Sequence, residues 1–246
     1  GLRSTLFNLA FHVTTGAFVL LCALLSLFPG SAPVRACIRA GCRTVRWEMR
    51  HIMGIRVEVR GRIPRNQPVI IASKHQSWGD GFLMMAIMGD INFMIGNAAA
   101  GFPFVERVVR KSGATMVNSP GLRGAEGVLE DAVRRAGDDP RPLLIYPEGR
   151  LATVGTAKRY RKGVFLMYEA LERPVVPVAH NLGLRWPKNE ARKFPGPAVI
   201  EFLDPIPPGL PRDAFLPRLQ VTIESRTRDL EAEGLAATSP ETEASS

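Results

Sequence analysis

Residues 5–28 contain no aspartate, glutamate, lysine or arginine, and the second half of that stretch, residues 17–28, is nearly all apolar. The segment is long enough to cross hydrocarbon as a helix, which takes about 20 residues. Asn8, His12, Thr14 and Thr15 dilute its first half, so a re-entrant or interfacial helix stays open beside a spanning one. A cleaved signal sequence matches poorly: Ser31 and Ala32 are suitably small, but Pro33 and the single early Arg3 depart from the pattern.

A proline opens the next helical pattern, residues 33–53, in which Val34, Ile38, Val45, Met49 and Ile52 fall on one side. Arg35, Arg39, Arg43, Arg46 and Arg50 recur at helical spacing along one stripe. Two readings fit: guanidinium groups set among lipid phosphates, or a solvated face over an apolar core. The adjoining apolar segment favours the first, an interfacial helix. The whole chain carries a formal net charge of +9, with residues 229–246 free of lysine and arginine, so the rest of the chain is more basic still. An anionic partner is expected. That partner is taken to be an anionic phospholipid surface and not nucleic acid, because basic residues interleaved with aromatics are missing, as is any recognisable nucleic-acid motif. The 3 cysteines are too few for a disulfide framework and lack the paired spacing of a zinc site. A reducing compartment follows. With 46% hydrophobic and 22% charged residues, wholesale disorder is excluded.

From Ile55 onward short apolar runs alternate with helical periodicity. Strands are expected over residues 55–60, 68–72, 92–95, 114–117, 142–146, 175–179 and 198–203, and helices over 80–88, 104–112, 122–136, 160–171 and 212–230. Strands separated by helices imply an α/β fold, a sheet covered by helices on both faces. The prolines crowded into residues 174–217 require mostly strand and loop there. The expected organisation is an N-terminal membrane-embedded or interfacial helical pair over residues 1–54, a catalytic domain over 55–232, and a disordered acidic tail over 233–246.

The chemistry concentrates where strands end. The run Ser73-Lys74-His75-Gln76-Ser77-Trp78-Gly79-Asp80 follows a buried strand and places a histidine and a carboxylate in one short loop leading into a helix. Such a pair makes a general base: the carboxylate holds one ring proton while the other nitrogen removes a proton from a hydroxyl. A helix N-cap for Asp80 and a surface loop histidine for His75 remain open alternatives. There is no G-x-S-x-G nucleophile elbow, and no cysteine has a local basic partner, which leaves the hydroxyl to the substrate. A second strand closes on Tyr146-Pro147-Glu148-Gly149-Arg150, and Lys158-Arg159-Tyr160-Arg161-Lys162-Gly163 supplies four cations ahead of a helix, either as a phosphate site or as a solvated run.

Together, His75 with Asp80, Tyr146-Pro147-Glu148-Gly149 and Val175-Val176-Pro177-Val178, in this order, resemble motifs of the 1-acyl-sn-glycerol-3-phosphate (lysophosphatidate) acyltransferase family over about residues 56–208. The resemblance implies a glycerolipid acyltransferase fold with an N-terminal membrane-associated helical pair. It implies transfer of a fatty acyl group from acyl-CoA or acyl-carrier protein, a co-substrate and not a cofactor, to the free hydroxyl of 1-acylglycerol-3-phosphate. Phosphatidic acid would be the product, made on the cytoplasmic side of a bacterial-type inner membrane. Carried over by position, His75 is the base, Asp80 its partner, and Glu148 and Gly149 belong to the acceptor site. The chain departs from the family where Arg150-Leu151 replaces Thr-Arg, where Asn97 and Ala98 replace Lys and Glu, and where Ser119 replaces Arg. The named substitutes for phosphate binding are Arg150, Arg123, Lys158 and Arg161. Another acceptor, such as a lyso-aminolipid, and a catalytically weak lipid-binding relative are the alternatives.

Overall fold

The computed structural model describes residues 1–96, 103–117 and 125–237. Seven strands, β1 (Ile55–Arg60), β2 (Ile70–Ser73), β3 (Asn92–Gly96), β4 (Thr115–Val117), β5 (Leu143–Ile145), β6 (Val175–His180) and β7 (Gly196–Phe202), form one sheet in the order β1-β7-β6-β2-β5-β3-β4. Every neighbouring pair is parallel except β6 with β7. Every residue of β2, β5 and β6 is buried, whereas edge strand β1 alternates. Continuous apolar runs mark strands covered on both faces; alternation marks one covered on a single face.

Because successive side chains of a strand point to opposite faces, the sheet divides the core in two. Ile71, Leu144, Val176 and Val178 pack with Leu83, Met84 and Ile87 of α3 (Asp80–Met88) and with Val45 of α2 (Ala32–Glu48). Ile70, Ala72, Leu143 and Ile145 pack with Val164, Met167 and Tyr168 of α6 (Lys162–Leu171) and with Phe215, Leu219 and Ile223 of α7 (Arg212–Ala236). Helices α4 (Pro103–Ser112) and α5 (Ala125–Asp138) complete the layers. The expected elements are present with ends shifted by a few residues. The proline-rich stretch is strand and loop up to α7, which nonetheless contains Pro217. Helix α7 also continues through Ala236, past the expected start of the tail at Glu233; residues 238–246 lie outside those described.

Helix α1 (Leu2–Leu25) lies along the catalytic domain and is fixed to it at both ends. Near its start, the Ser4 hydroxyl accepts the Lys193 N–H at 2.9 Å, Asn8 donates to the Ala191 carbonyl at 2.9 Å, and Phe7 and Phe11 each meet Trp186 edge-on at 5.0 Å. Past its end, the Ser26 carbonyl accepts from Arg107 of α4 at 3.4 Å. Between the two, the Thr14 hydroxyl donates to Glu48 of α2. Gly41 lets the helices close, since a Cβ there would stand 2.9 Å from the Phe18 ring. Among the described residues nothing covers the opposite face of α1. Leu2, Leu6, Leu9, Val13, Leu20, Leu24 and Leu27 recur at helical spacing and are all exposed.

The arginine stripe of α2 divides in the structure. Arg35 and Arg39 each reach Asp90 at 3.1 Å, and Arg141 joins them at 3.1 Å while holding Asp139 at 2.6 Å. These two arginines therefore clamp α2 to the catalytic domain and are not free for lipid. Arg43 and Arg50 are exposed and Arg46 is half-buried. The pattern on the helix is the one expected, but an acid distant in sequence has claimed its first half.

Candidate active site

The parallel neighbours β2 and β5, in register at Ala72 and Ile145, leave the sheet at the same edge, and β6 pairs with β2 at Ser73 and Val178. The loops after all three strands therefore converge, as at the carboxyl edge of other parallel sheets, where crevices form. The first loop carries His75 and the second carries Tyr146, Glu148 and Gly149. His180 closes the third strand.

His75 Nδ1 donates to Asp80 Oδ2 at 3.1 Å, and the same oxygen accepts the backbone N–H groups of Gln76 at 2.8 Å and Ser77 at 2.9 Å. Asp80 sits at the first turn of α3, where the helix dipole also favours negative charge. It is 2% exposed. Asp80 thus orders the turn and orients the imidazole together, so one carboxylate fits both readings of the sequence. The histidine ring is stacked on Tyr146, centroids 3.9 Å apart and planes 19° from parallel. With Nδ1 occupied, Nε2 is left to receive a proton; the imidazole is 22% exposed, so a substrate hydroxyl can reach it.

Behind the histidine lies a layer of buried charge. His180 Nε2 donates to the Lys74 carbonyl at 2.8 Å and lies 3.6 Å from Asp80 Oδ2. Glu148 is turned inward, 1% exposed, with Oε1 accepting the His75 backbone N–H at 3.2 Å and facing Lys74 Nζ at 3.2 Å. Burial raises its pKa above the usual carboxylate range, against the pull of Lys74. Glu148 is expected from the sequence at the acceptor site; in the structure its carboxylate is turned beneath the loop that carries His75. Tyr146 is likewise raised well above its ordinary range, by burial and then by the nearby Asp80 charge, so it is a neutral phenol against the imidazole.

Gly149 and Arg150 are exposed. Gly149 has φ +65, and a Cβ on it would lie 2.6 Å from Arg161 Cδ and Nε; only glycine admits both the backbone and the arginine. Arg161 is thus held across the Tyr146–Gly149 turn, its N–H donating to the Pro147 carbonyl at 2.8 Å. Leu151, where the family pattern has arginine, is buried at 6% exposure. Lys158 is half-buried and Arg123 lies outside the described residues. A groove of about 800 Å³ between residues 157–160 and α7 has Tyr160 and Glu224 among its walls; it lies on the far side of the buried charges from His75.

The acyltransferase family model matches residues 54–181, the span that holds the loops after β2 and β5 and all of β6. The chain belongs to the acyltransferase family. It is 27% identical over 220 residues to the 1-acyl-sn-glycerol-3-phosphate acyltransferase of Pseudomonas aeruginosa, covering 87% of this chain and 82% of that one. It is 28% identical over 203 residues to the human 1-acyl-sn-glycerol-3-phosphate acyltransferase beta (76% and 72%), and 26% identical over 120 residues to the lyso-ornithine lipid O-acyltransferase of Rhizobium meliloti (46% and 40%). The fold is that of the Thermotoga maritima 1-acyl-sn-glycerophosphate acyltransferase PlsC, with a TM-score of 0.73 at 19% identity over 94% of this chain and 97% of that one.

Reading the sequence singled out His75 and Asp80, which the structure brings together, but missed Lys74, His180, Glu224 and Glu231 as parts of the same assembly. Two signals were available. A lysine directly after the buried run Ile70–Ser73 needs a buried partner. Glu224 and Glu231 repeat on the stripe of α7 that also holds Leu219, Ile223 and Leu230, so they face inward.

Proposed function

We propose that this acyltransferase moves a fatty acyl group from a soluble thioester, acyl-CoA or acyl-carrier protein, to the free hydroxyl of 1-acylglycerol-3-phosphate, yielding phosphatidic acid. The observation that carries the reading is the His75–Asp80 pair, with its free Nε2 at the open edge of the sheet. His75 Nε2 takes the hydroxyl proton as the oxygen attacks the thioester carbonyl. The carbon–sulfur bond breaks, the ester forms, and the proton passes to the departing thiolate, so no covalent enzyme intermediate is needed. The names of the Pseudomonas aeruginosa and human relatives support this acceptor.

The bare leucine face of α1 supports delivery of the acceptor from a membrane. A helix tied to the domain at both ends lies in one leaflet, its leucines in the acyl region, and does not span. Trp47 and Trp78, both exposed, suit the headgroup level. On this reading the domain lies on the cytoplasmic face of the inner membrane, beside the soluble donors.

One observation favours a second acceptor, a lyso-aminolipid: Leu151 is buried in place of a phosphate-binding arginine. The purified protein, assayed with both donors against lysophosphatidate and lyso-ornithine lipid, tests the choice. Lysophosphatidate is expected to have the higher kcat/KM; the opposite order would transfer the assignment to the aminolipid.

A further inference from the structure

Lys74 stands one residue before the catalytic histidine and its side chain is wholly buried. It runs to the opposite face of the loop from His75. There Nζ donates to Glu224 Oε1 at 3.0 Å and Oε2 at 2.9 Å, and to the Thr156 carbonyl at 3.0 Å, while also facing Glu148 Oε1 at 3.2 Å. Tyr160 donates its hydroxyl to Glu224 Oε1 at 3.0 Å. One turn pair further along α7, Glu231 Oε1 accepts from Gln76 Nε2 at 2.7 Å and from the Gly155 N–H at 3.2 Å. Both residues flanking His75 are thus gripped by acids of the C-terminal helix, which lies beyond the matched residues 54–181.

The energetics of burial make this more than packing. An ammonium without a counter-charge in such a place costs several kcal/mol, so Lys74 and its carboxylates hold only in one geometry. That geometry fixes the His75 backbone from both sides: Glu148, held by Lys74, accepts the His75 N–H, and the Lys74 carbonyl is held by His180. A general base works only when its nitrogen meets the substrate proton within hydrogen-bond reach, and small misplacements are costly.

From this we infer that Glu224 and Lys74 are positioning residues for the acyl transfer, latching α7 to the catalytic loop so that His75 Nε2 is presented to the acceptor. They touch neither substrate; they act through the backbone of His75. This inference rests on His75 being the base. His75→Ala, assayed alongside, separates failure of that assignment from failure of the latch.

The test is steady-state kinetics on the full chain in lipid vesicles, below the melting temperature of every variant. Glu224→Gln leaves Lys74 paired with Glu148 and keeps an acceptor for Tyr160, so the protein is expected to fold. Its kcat should fall by about ten- to a hundredfold with the KM for both substrates within about twofold. Glu224→Asp should recover part of the loss. Lys74→Met should fall further, and the double variant no further than Lys74→Met alone, because the two act as one unit. Arg226→Gln is the comparison: it removes the 2.8 Å pair with Glu201 that also docks α7 but does not approach the loop, and kcat should be unchanged. Parental kcat in Glu224→Gln overturns the latch. So does an equal loss in Arg226→Gln, which would show that only the docking of α7 matters. If Lys74→Met yields no folded protein, the two Glu224 variants and Arg226→Gln still decide.

Discussion

The outer face of α1 and the loop around His75 both invert the usual rule that apolar groups go inside and polar groups outside. On and just past α1 the side chains of Leu2, Leu6, Leu9, Val13, Leu20, Leu24 and Leu27 stand exposed; around His75 the side chains of Lys74, Gln76, Asp80, Glu148 and His180 are buried. The two inversions are resolved differently. The buried polar groups find partners within the protein, through ion pairs and hydrogen bonds from four separate segments, although Gln76 Oε1, Asp80 Oδ1 and Glu148 Oε2 have no hydrogen-bond partner among the described residues. The exposed leucines are covered by none of the described residues, the observation on which the proposed lipid contact rests. A region that violates the rule and closes on itself is an engine part; one that violates it and stays open is a binding face.

The sharpest way to break this comparison is at the closed region. His75→Ala should lower turnover by about 10²- to 10⁴-fold, roughly 3 to 5 kcal/mol, without loss of folding or vesicle binding. Kinetics and vesicle flotation of the same preparation check it. Turnover near the parental level would remove the base from the mechanism. Asp80→Asn should follow in direction with a smaller loss, because the amide still orders the turn but cannot stabilise the imidazolium.

At the open region, Leu20→Gln with Leu24→Gln should leave the melting temperature and detergent-supported activity unchanged, since neither side chain packs on the domain. Vesicle partition should weaken by about 3 kcal/mol, on the order of a hundredfold, from the apolar area no longer buried in lipid. Undiminished flotation would mean that α1 is covered by something other than a bilayer.

The smallest expected effect concerns the phosphate of the proposed acceptor. Arg161 is exposed and lies against Gly149, on the turn after β5. Arg161→Ala should raise the KM for lysophosphatidate at a cost of about 2 kcal/mol, with little change for a lyso-lipid lacking phosphate. Arg150→Ala should do less. Equal losses on both acceptors would make Arg161 a support for the turn and not a phosphate ligand.

The order of strands and helices, the apolar N-terminal segment and the His75–Asp80 pair were all legible in the chain because each is a local property. Period-two runs, helical spacing and two residues in one loop need no knowledge of what lies across the sheet. Tertiary structure decided everything that depended on distant partners. The arginine stripe could be read as continuous, yet Asp90 takes its first two members into the protein. Glu148 could be placed in a catalytic motif, yet whether it faced substrate or histidine depended on Lys74. Lys74 in turn waits for Glu224, 150 positions along the chain. Only the strand order, with β2 set between β5 and β6, brings those segments to one edge. A buried charge needs a partner, and the sequence states the need; which partner meets it is settled by packing.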